Sequence, residues 1–162
     1  MSAADTRPPT APAFRAILLA GLGAGAAVLL LASLADLAGT TLLMAPFGAS
    51  CVLAFALPDS PLSQPRSIVG GHLVASAVGL AIAGLLGVAP WTLALAVSLA
   101  VALMLATRTT HAPAGADPIL VMLSGAGWEF LATPVLAGSL LLVAAAVLYH
   151  RVVGRAFPKY WV

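Results

Sequence analysis

Charge is what this sequence has least of. Only 7% of its 162 residues are charged, against about 25% in an ordinary soluble domain, while 62% are hydrophobic and the mean hydropathy is +1.10. That deficit excludes a soluble globular protein and points to an integral membrane protein embedded in a lipid bilayer. The few basic residues lie mostly toward the two ends and leave a net charge of +2. This pattern orients a chain in a membrane and excludes nucleic acid as a partner. Cysteine is nearly absent. The single Cys51 excludes an intrachain disulfide and reads as a small buried apolar residue. No metal-ligand cluster, no nucleophile–base–carboxylate set and no phosphate loop occur, so neither an enzyme nor a cofactor is expected. A secretory cleavage pattern is also missing. Met1 to Thr10 is polar and rich in proline and alanine, and residues 1–13 read as a disordered cytoplasmic tail ahead of a retained first span.

What is present is a series of long apolar runs. Phe14 to Ala35, between Arg15 and Asp36, gives about 22 residues, enough to cross a hydrocarbon core of roughly 30 Å. Its Gly21-x-x-x-Gly25 offers a small-residue face for helix packing. Ser67 to Val88, Trp91 to Thr107 and Thr133 to Tyr149 are three more such runs. Trp91, Tyr149, Tyr160 and Trp161 suit the membrane interface. The spans lie in a transmembrane domain over 14–153, followed by an interfacial tail over 154–162.

Two breaks interrupt this pattern. The stronger is Thr109-Thr110-His111-Ala112-Pro113-Ala114-Gly115-Ala116-Asp117-Pro118, and a fainter copy is Ala45-Pro46-Phe47-Gly48-Ala49-Ser50. Lipid cannot satisfy free backbone N–H and C=O groups, so irregular chain at membrane depth needs a reason. The breaks align at a constant offset (113 − 46 = 67), which pairs Pro46 with Pro113, Gly48 with Gly115 and Ala49 with Ala116. Ser50 pairs with Asp117, and both residue types are good helix N-caps. Each break opens a short helix that is followed by a proline and another long span. The expected fold is therefore an all-α membrane protein with four long transmembrane helices plus two short broken or half helices. They form two pseudo-symmetric, inverted repeats, over about 14–88 and 91–153.

Topology follows from charge. If each short segment turned back, there would be four spans, with Arg66 and Arg108 opposite the basic termini. If each crosses, there are six passes, and Arg7, Arg15, Arg66, Arg108, Arg151, Arg155 and Lys159 fall on one side, with Asp36 and Glu129 on the other. The positive-inside rule favours six passes with both ends cytoplasmic. Inverted repeats whose broken helices meet near the midplane are a recurrent transporter design.

Pro46-Phe47-Gly48-Ala49-Ser50, Gln64-Pro65-Arg66, Gly70-Gly71-His72 and Thr107 to Pro118 together resemble the HPP family of integral membrane proteins. The resemblance covers nearly the whole chain from Phe14 to Trp161. Members are usually described with four transmembrane helices, and plant and cyanobacterial members are linked to nitrite transport. The resemblance therefore implies a small-anion transporter or channel in the cell (inner) membrane. At the name-giving place this chain has His111-Ala112-Pro113 instead of His-Pro-Pro, which leaves the lead-in less rigid while keeping the proline matched by Pro46.

The chemistry of the breaks agrees with that implication. A helix start presents unpaired N–H groups and the positive end of a dipole, and glycine lets an ion approach the backbone. Gly48-Ala49-Ser50 and Gly115-Ala116 are thus the expected anion-binding backbone, with hydroxyl donors from Ser50, Thr109 and Thr110. His111 is a candidate to donate to the anion or to carry a proton beside it. His72, Arg66 and Arg108 are secondary candidates, the arginines for concentrating anions at the mouth, and Phe47 is a candidate gate. Asp117 argues partly the other way, because its carboxylate would compete with an anion unless protonated or turned away. A proton, cation or neutral-solute channel using Asp117 and His111, or a non-transporting scaffold, stays open. So short a chain with many small-residue faces suggests a homo-oligomer, a dimer or trimer.

Overall fold

Proline and glycine set where the helices start and stop. In the computed structural model, which describes residues 10–161, the chain forms six α-helices and no strand among the described residues. Helix α1 is Phe14–Ala38, α2 is Pro46–Cys51, α3 is Pro65–Leu86, α4 is Pro90–Ala106, α5 is Asp117–Ser124 and α6 is Ala137–Val152. The first nine residues of the expected tail lie outside the described residues. Helices α2, α3, α4 and α5 each carry a proline in the first turn, where its missing N–H costs nothing. Gly39 and Gly125 end α1 and α5 in the left-handed conformation, at φ 61° and 66°, which glycine adopts without a Cβ penalty.

The expected four long spans become three: Phe14–Ala38, Pro65–Leu86 and Trp128–Val152, of 25, 22 and 25 residues. Helix α4 has 17 residues, at the lower end of what crosses a bilayer. Pro90 fixes its start, and the chain turns out of the helix at Arg108, whose φ is 57°. The last span starts at Trp128, earlier than Thr133. A 3-10 turn, Trp128–Leu131, and a π-helical turn, Ala132–Leu136, lead into α6, with Thr133 extended at φ −137° between helical neighbours. The short elements are as short as expected. Helix α2 runs on as a π-helical turn, Val52–Ala56, and a 3-10 turn, Ala112–Ala116, leads into α5.

Helix α3 is the centre of the bundle. It packs against α4, α5, α6 and the lead-in to α5, and half of its apolar window is buried, against 17% for α1. Small residues bring the neighbours close. A Cβ on Gly71 would meet the Thr109 carbonyl oxygen at 2.8 Å, and one on Gly79 would meet Pro118 Cα at 2.7 Å. Gly138 holds the matching place on α6, where a Cβ would strike the Leu42 carbonyl oxygen. Gly71 and Gly138, like Leu42 and Thr109, are separated by the same 67 positions as the two breaks (138 − 71 and 109 − 42). Among the described residues, nothing packs against Gly21 or Gly25. Both positions are open, and it is Gly23 that admits Tyr149 and Phe55. The apolar outer face, including Leu22, Leu29, Leu37 and Leu85, implies a lipid bilayer around a multi-pass protein.

Polar contacts gather one end of the bundle. Arg66 Nη2 donates to the Thr107 carbonyl at 2.8 Å. Arg155 and Lys159 reach Asp59 at 2.9 and 3.0 Å, and the Lys159 N–H donates to Gln64 Oε1 at 2.8 Å. Pro12 and Ala16 share a cavity with Val153 and Arg155. The starts of α1 and α3, the ends of α4 and α6, and the tail therefore lie together. Chain 39–57 runs back to this end from the far end of α1, and chain 107–124 runs away from it.

Candidate functional site

The two breaks meet beside α3, and their polar residues turn inward. Ser50 and Asp117 are not N-caps. Helix α2 already begins at Pro46, so Ser50 lies inside it and its hydroxyl can donate back to the Pro46 carbonyl at 3.2 Å. The turn Ala112–Ala116 brings the chain to Asp117 already helical, which leaves its carboxyl free to face α3. The tight turns also use several of the N–H groups expected to be free. Phe47 and Gly48 donate to Met44 and Ala45, Ala114 donates to His111, and Asp117 donates to Ala114.

A continuous chain of side chains results. His111 Nδ1 is 2.7 Å from the Leu62 carbonyl oxygen, and His111 Nε2 is 2.8 Å from Ser50 Oγ. On the other side Ser50 Oγ is 2.8 Å from His72 Nε2. His72 Nδ1 is 2.7 Å from Asp117 Oδ2, which also accepts from Ser76 Oγ at 3.2 Å. Ser50, His72, Ser76, His111 and Asp117 are all fully buried. The Phe47 ring meets His72 edge-on with centroids 5.0 Å apart, and His72 meets His111 the same way at 4.8 Å. Asp117 Oδ1 is buried without a partner. Burying so many polar groups costs free energy unless each is bonded. A half-used carboxyl at this place marks where a further donor fits.

An open groove of about 750 Å³ lies in front of this chain, lined by Ala45, Pro46 and Ala49 from the first break and by Ala112, Pro113 and Ala116 from the second, with Leu120 and Ser124 deeper along α5. Each of the first three faces the residue 67 positions later (Ala45 and Ala112, Pro46 and Pro113, Ala49 and Ala116). Ala49, Ala112 and Ala116 are one position from Ser50, His111 and Asp117, so the polar chain runs directly behind the groove wall. A Cβ on Gly48 or Gly115 would meet nothing within 4 Å, so their backbone is open to a small ligand.

The structure thus brings Ser50, His111, Asp117 and His72 into one chain and puts Ala49, Pro113 and Ala116 on the groove. Thr109 and Thr110 belong to the extended lead-in, where Thr109 Oγ1 bonds Thr107 Oγ1 at 2.7 Å. Phe47 is in the core against α6, away from the groove. Arg66 and Arg108 are exposed at the basic end. Ser76 and the Leu62 carbonyl are participants that sequence reasoning missed; the only signal for Ser76 is its place four residues after His72, on the same helix face.

Comparison with known proteins shows a transmembrane family. The transmembrane region of the HPP family matches residues 9–158. Two transmembrane proteins of Dictyostelium discoideum are similar. One is 36% identical over 131 residues, covering 75% of this chain and 42% of its own. The other is 34% identical over 128 residues, covering 74% and 45%. The chain spans less than half the length of these relatives. No solved structure gives a significant match.

Proposed function

Because the chain belongs to the HPP transmembrane family, we propose that it is a membrane transporter for a small inorganic anion, with nitrite the first candidate. The observation that carries this reading is the buried His111–Ser50–His72–Asp117 chain lying one residue behind a groove between two broken helices. Ionisable side chains inside a membrane are costly and mark transport paths by default. The anion rests on the open backbone at Gly48-Ala49 and Gly115-Ala116, within reach of the weak positive ends of two short helices. Such a site holds an ion loosely enough to release it. Arg66 and Arg108 raise the local anion concentration at the mouth.

The two halves are inverted repeats and the chain makes six passes, because each short segment joins opposite ends of the bundle. All described basic residues then face one side, which is the cytoplasm, with the protein in the inner membrane. The groove is open along one flank, and the ends of the short helices that line it need shielding from lipid. A homodimer or homotrimer supplies that cover.

Flux into proteoliposomes tests the reading with nitrite, nitrate, chloride and ammonium. Nitrite flux that is lost in His111→Ala and in Gly115→Leu, both still folded, is the expected result. A second reading, a proton or cation path, is favoured by the Asp117 carboxyl standing beside the helix start. Flux of cations alone, abolished by Asp117→Asn, would establish that reading in place of the first. No flux of any ion would leave a scaffold.

A further inference from the structure

Hydrogen-bond arithmetic in the buried chain fixes its proton content. Four links run in series: Leu62 O to His111, His111 to Ser50, Ser50 to His72, and His72 to Asp117. Each link needs one hydrogen between its two heavy atoms. The Leu62 carbonyl cannot donate, so His111 Nδ1 carries a hydrogen. Two neutral imidazoles, one hydroxyl and an ionised carboxylate supply only three hydrogens. With all four links filled, and Ser50 donating along the chain rather than to the Pro46 carbonyl, one more is required, and that proton offsets the carboxylate charge, leaving the buried cluster neutral overall.

We infer that this extra proton is passed between Asp117 and His111 through His72 and Ser50, and that it is the proton moved together with the transported anion. The inference rests on the anion-transport reading for its second half only. In one form Asp117 Oδ2–H donates to His72 Nδ1, His72 Nε2–H donates to Ser50, and Ser50 donates to His111 Nε2. The transfer is three single steps. Asp117 gives its proton to His72 Nδ1, His72 Nε2 gives its own to Ser50 Oγ, and Ser50 gives its own to His111 Nε2. Every bond broken is matched by one formed. The result is an Asp117 carboxylate, a neutral His72 and a His111 imidazolium, with all four links kept and reversed in sense where needed.

The two ends are unlike each other. Asp117 Oδ1 is unpartnered, while Oδ2 accepts from Ser76 near the middle of α3, and the neighbouring Ala116 lines the groove, so this is the end that accepts a proton from a molecule in the groove. His111 Nδ1 is tied to Leu62, in the loop at the basic end. A carbonyl oxygen cannot keep a proton, so release requires His111 to leave Leu62, and that hydrogen bond is the latch. The groups facing the chain are Ser76 on α3, Phe47 and Pro46 on α2, and the Leu62 carbonyl; the arginines Arg66 and Arg108 lie outside it at the basic end.

The test measures nitrite by chemical assay and protons by a trapped pH dye in the same proteoliposomes, with valinomycin and potassium clamping the voltage. Ser50→Ala cuts the series, Ser50→Thr restores the hydroxyl, and Ser139→Ala, on α6 with its hydroxyl on the Leu136 carbonyl, is the control outside the chain. The expected result is one proton entering per nitrite. Ser50→Ala lowers this by roughly tenfold or more, as the loss of one bridging hydrogen bond implies, while Ser50→Thr and Ser139→Ala retain it. Nitrite flux without proton movement, unchanged in Ser50→Ala, would overturn the inference and leave the transport reading standing. Proton flux without nitrite, lost in Ser50→Ala, would keep the relay and overturn the anion reading. No protein-dependent proton movement under any gradient overturns the relay. Nitrogen-15 spectra of labelled histidines in bilayers provide a check that needs no flux: the relay requires either a neutral His72 protonated at Nε2 beside a neutral His111, or one imidazolium in the pair, and a neutral His72 protonated at Nδ1 beside a neutral His111 would contradict it.

Discussion

Asp117 shows how a residue's role depends on a single turn of backbone. As an N-cap its carboxylate would have been spent on its own helix and would have repelled an anion. With the 3-10 turn Ala112–Ala116 ahead of it, it faces His72 instead. Breaking a buried hydrogen-bonded pair by deleting one partner costs about 3–5 kcal/mol, whereas an isosteric amide keeps both contacts. Asp117→Asn is therefore expected to keep the thermal stability in detergent close to that of the parent while abolishing transport. His72→Ala should lower stability by about 3 kcal/mol or more, read as a fall in unfolding temperature. Ser50, His111 and Asp117 were legible in the sequence because they stand inside the two breaks. The centrality of His72 was not, because nothing local says that the eighth residue of a long apolar helix faces both breaks. Ser76 was invisible for a related reason: a serine in an apolar helix ordinarily bonds its own backbone.

Among the elements, α3 and the extended lead-in to α5 form the joint on which the site depends. Gly71 accepts the Thr109 carbonyl and His111 at distances no Cβ tolerates. Gly71→Ala is expected to cost about 1–3 kcal/mol through overpacking and to displace His111 from Ser50, which reduces transport further than stability. Gly21→Ala and Gly25→Ala, with open space at both positions, should leave unfolding temperature and flux unchanged. Thermal unfolding and flux on the three variants decide this. The spacing Gly21-x-x-x-Gly25 suggested a packing face, but a motif in so Gly- and Ala-rich a chain carries no direction; the aromatic partners Phe55 and Tyr149 chose Gly23.

The tail is a separate, exposed joint. Hydrogen bonds from Lys159 and then from Arg155 hold the Asp59 carboxyl below the usual carboxylate range. A lowered pKa means that the tie is fully present above the ordinary value of 3.8 and is lost as pH falls below it through the folded-state value. Protection from hydrogen exchange at 155–159, relative to the intrinsic rate at each pH, is expected to be constant from neutral pH down to about 4 and to fall below that. Asp59→Asn should give fast exchange at all these pH values with little change in global stability, since both sides of the ion pair are about half exposed.

At the scale of the whole molecule, the division of charge carried most of the architecture. Basic residues at the break boundaries and in the C-terminal tail gather at one end of the bundle, where Arg66 meets Thr107 and Lys159 meets Asp59. The number of full-length helices was less legible. Apolarity continues past the start of α4 and stops at its end, so Pro90 on one side and the polar Thr107-Arg108 on the other limit it to 17 residues. The extension of the last span back to Trp128 was hidden by Pro134, which reads as a start. With Cys51 buried, single cysteines can report topology. Arg66→Cys and Lys159→Cys should react with an impermeant thiol reagent from the same side, and Thr40→Cys from the opposite side. Reaction of Arg66→Cys and Lys159→Cys from opposite sides would refute six passes.

The central claim is that the groove and the polar chain behind it move a small anion and a proton together. The most direct measurement is nitrite accumulation in proteoliposomes driven by a pH gradient alone, at clamped zero voltage, relative to protein-free vesicles. Accumulation that follows the sign of the gradient and disappears in Asp117→Asn is the expected result. Nitrite entry indifferent to the gradient, or no entry above that of protein-free vesicles, would contradict the claim.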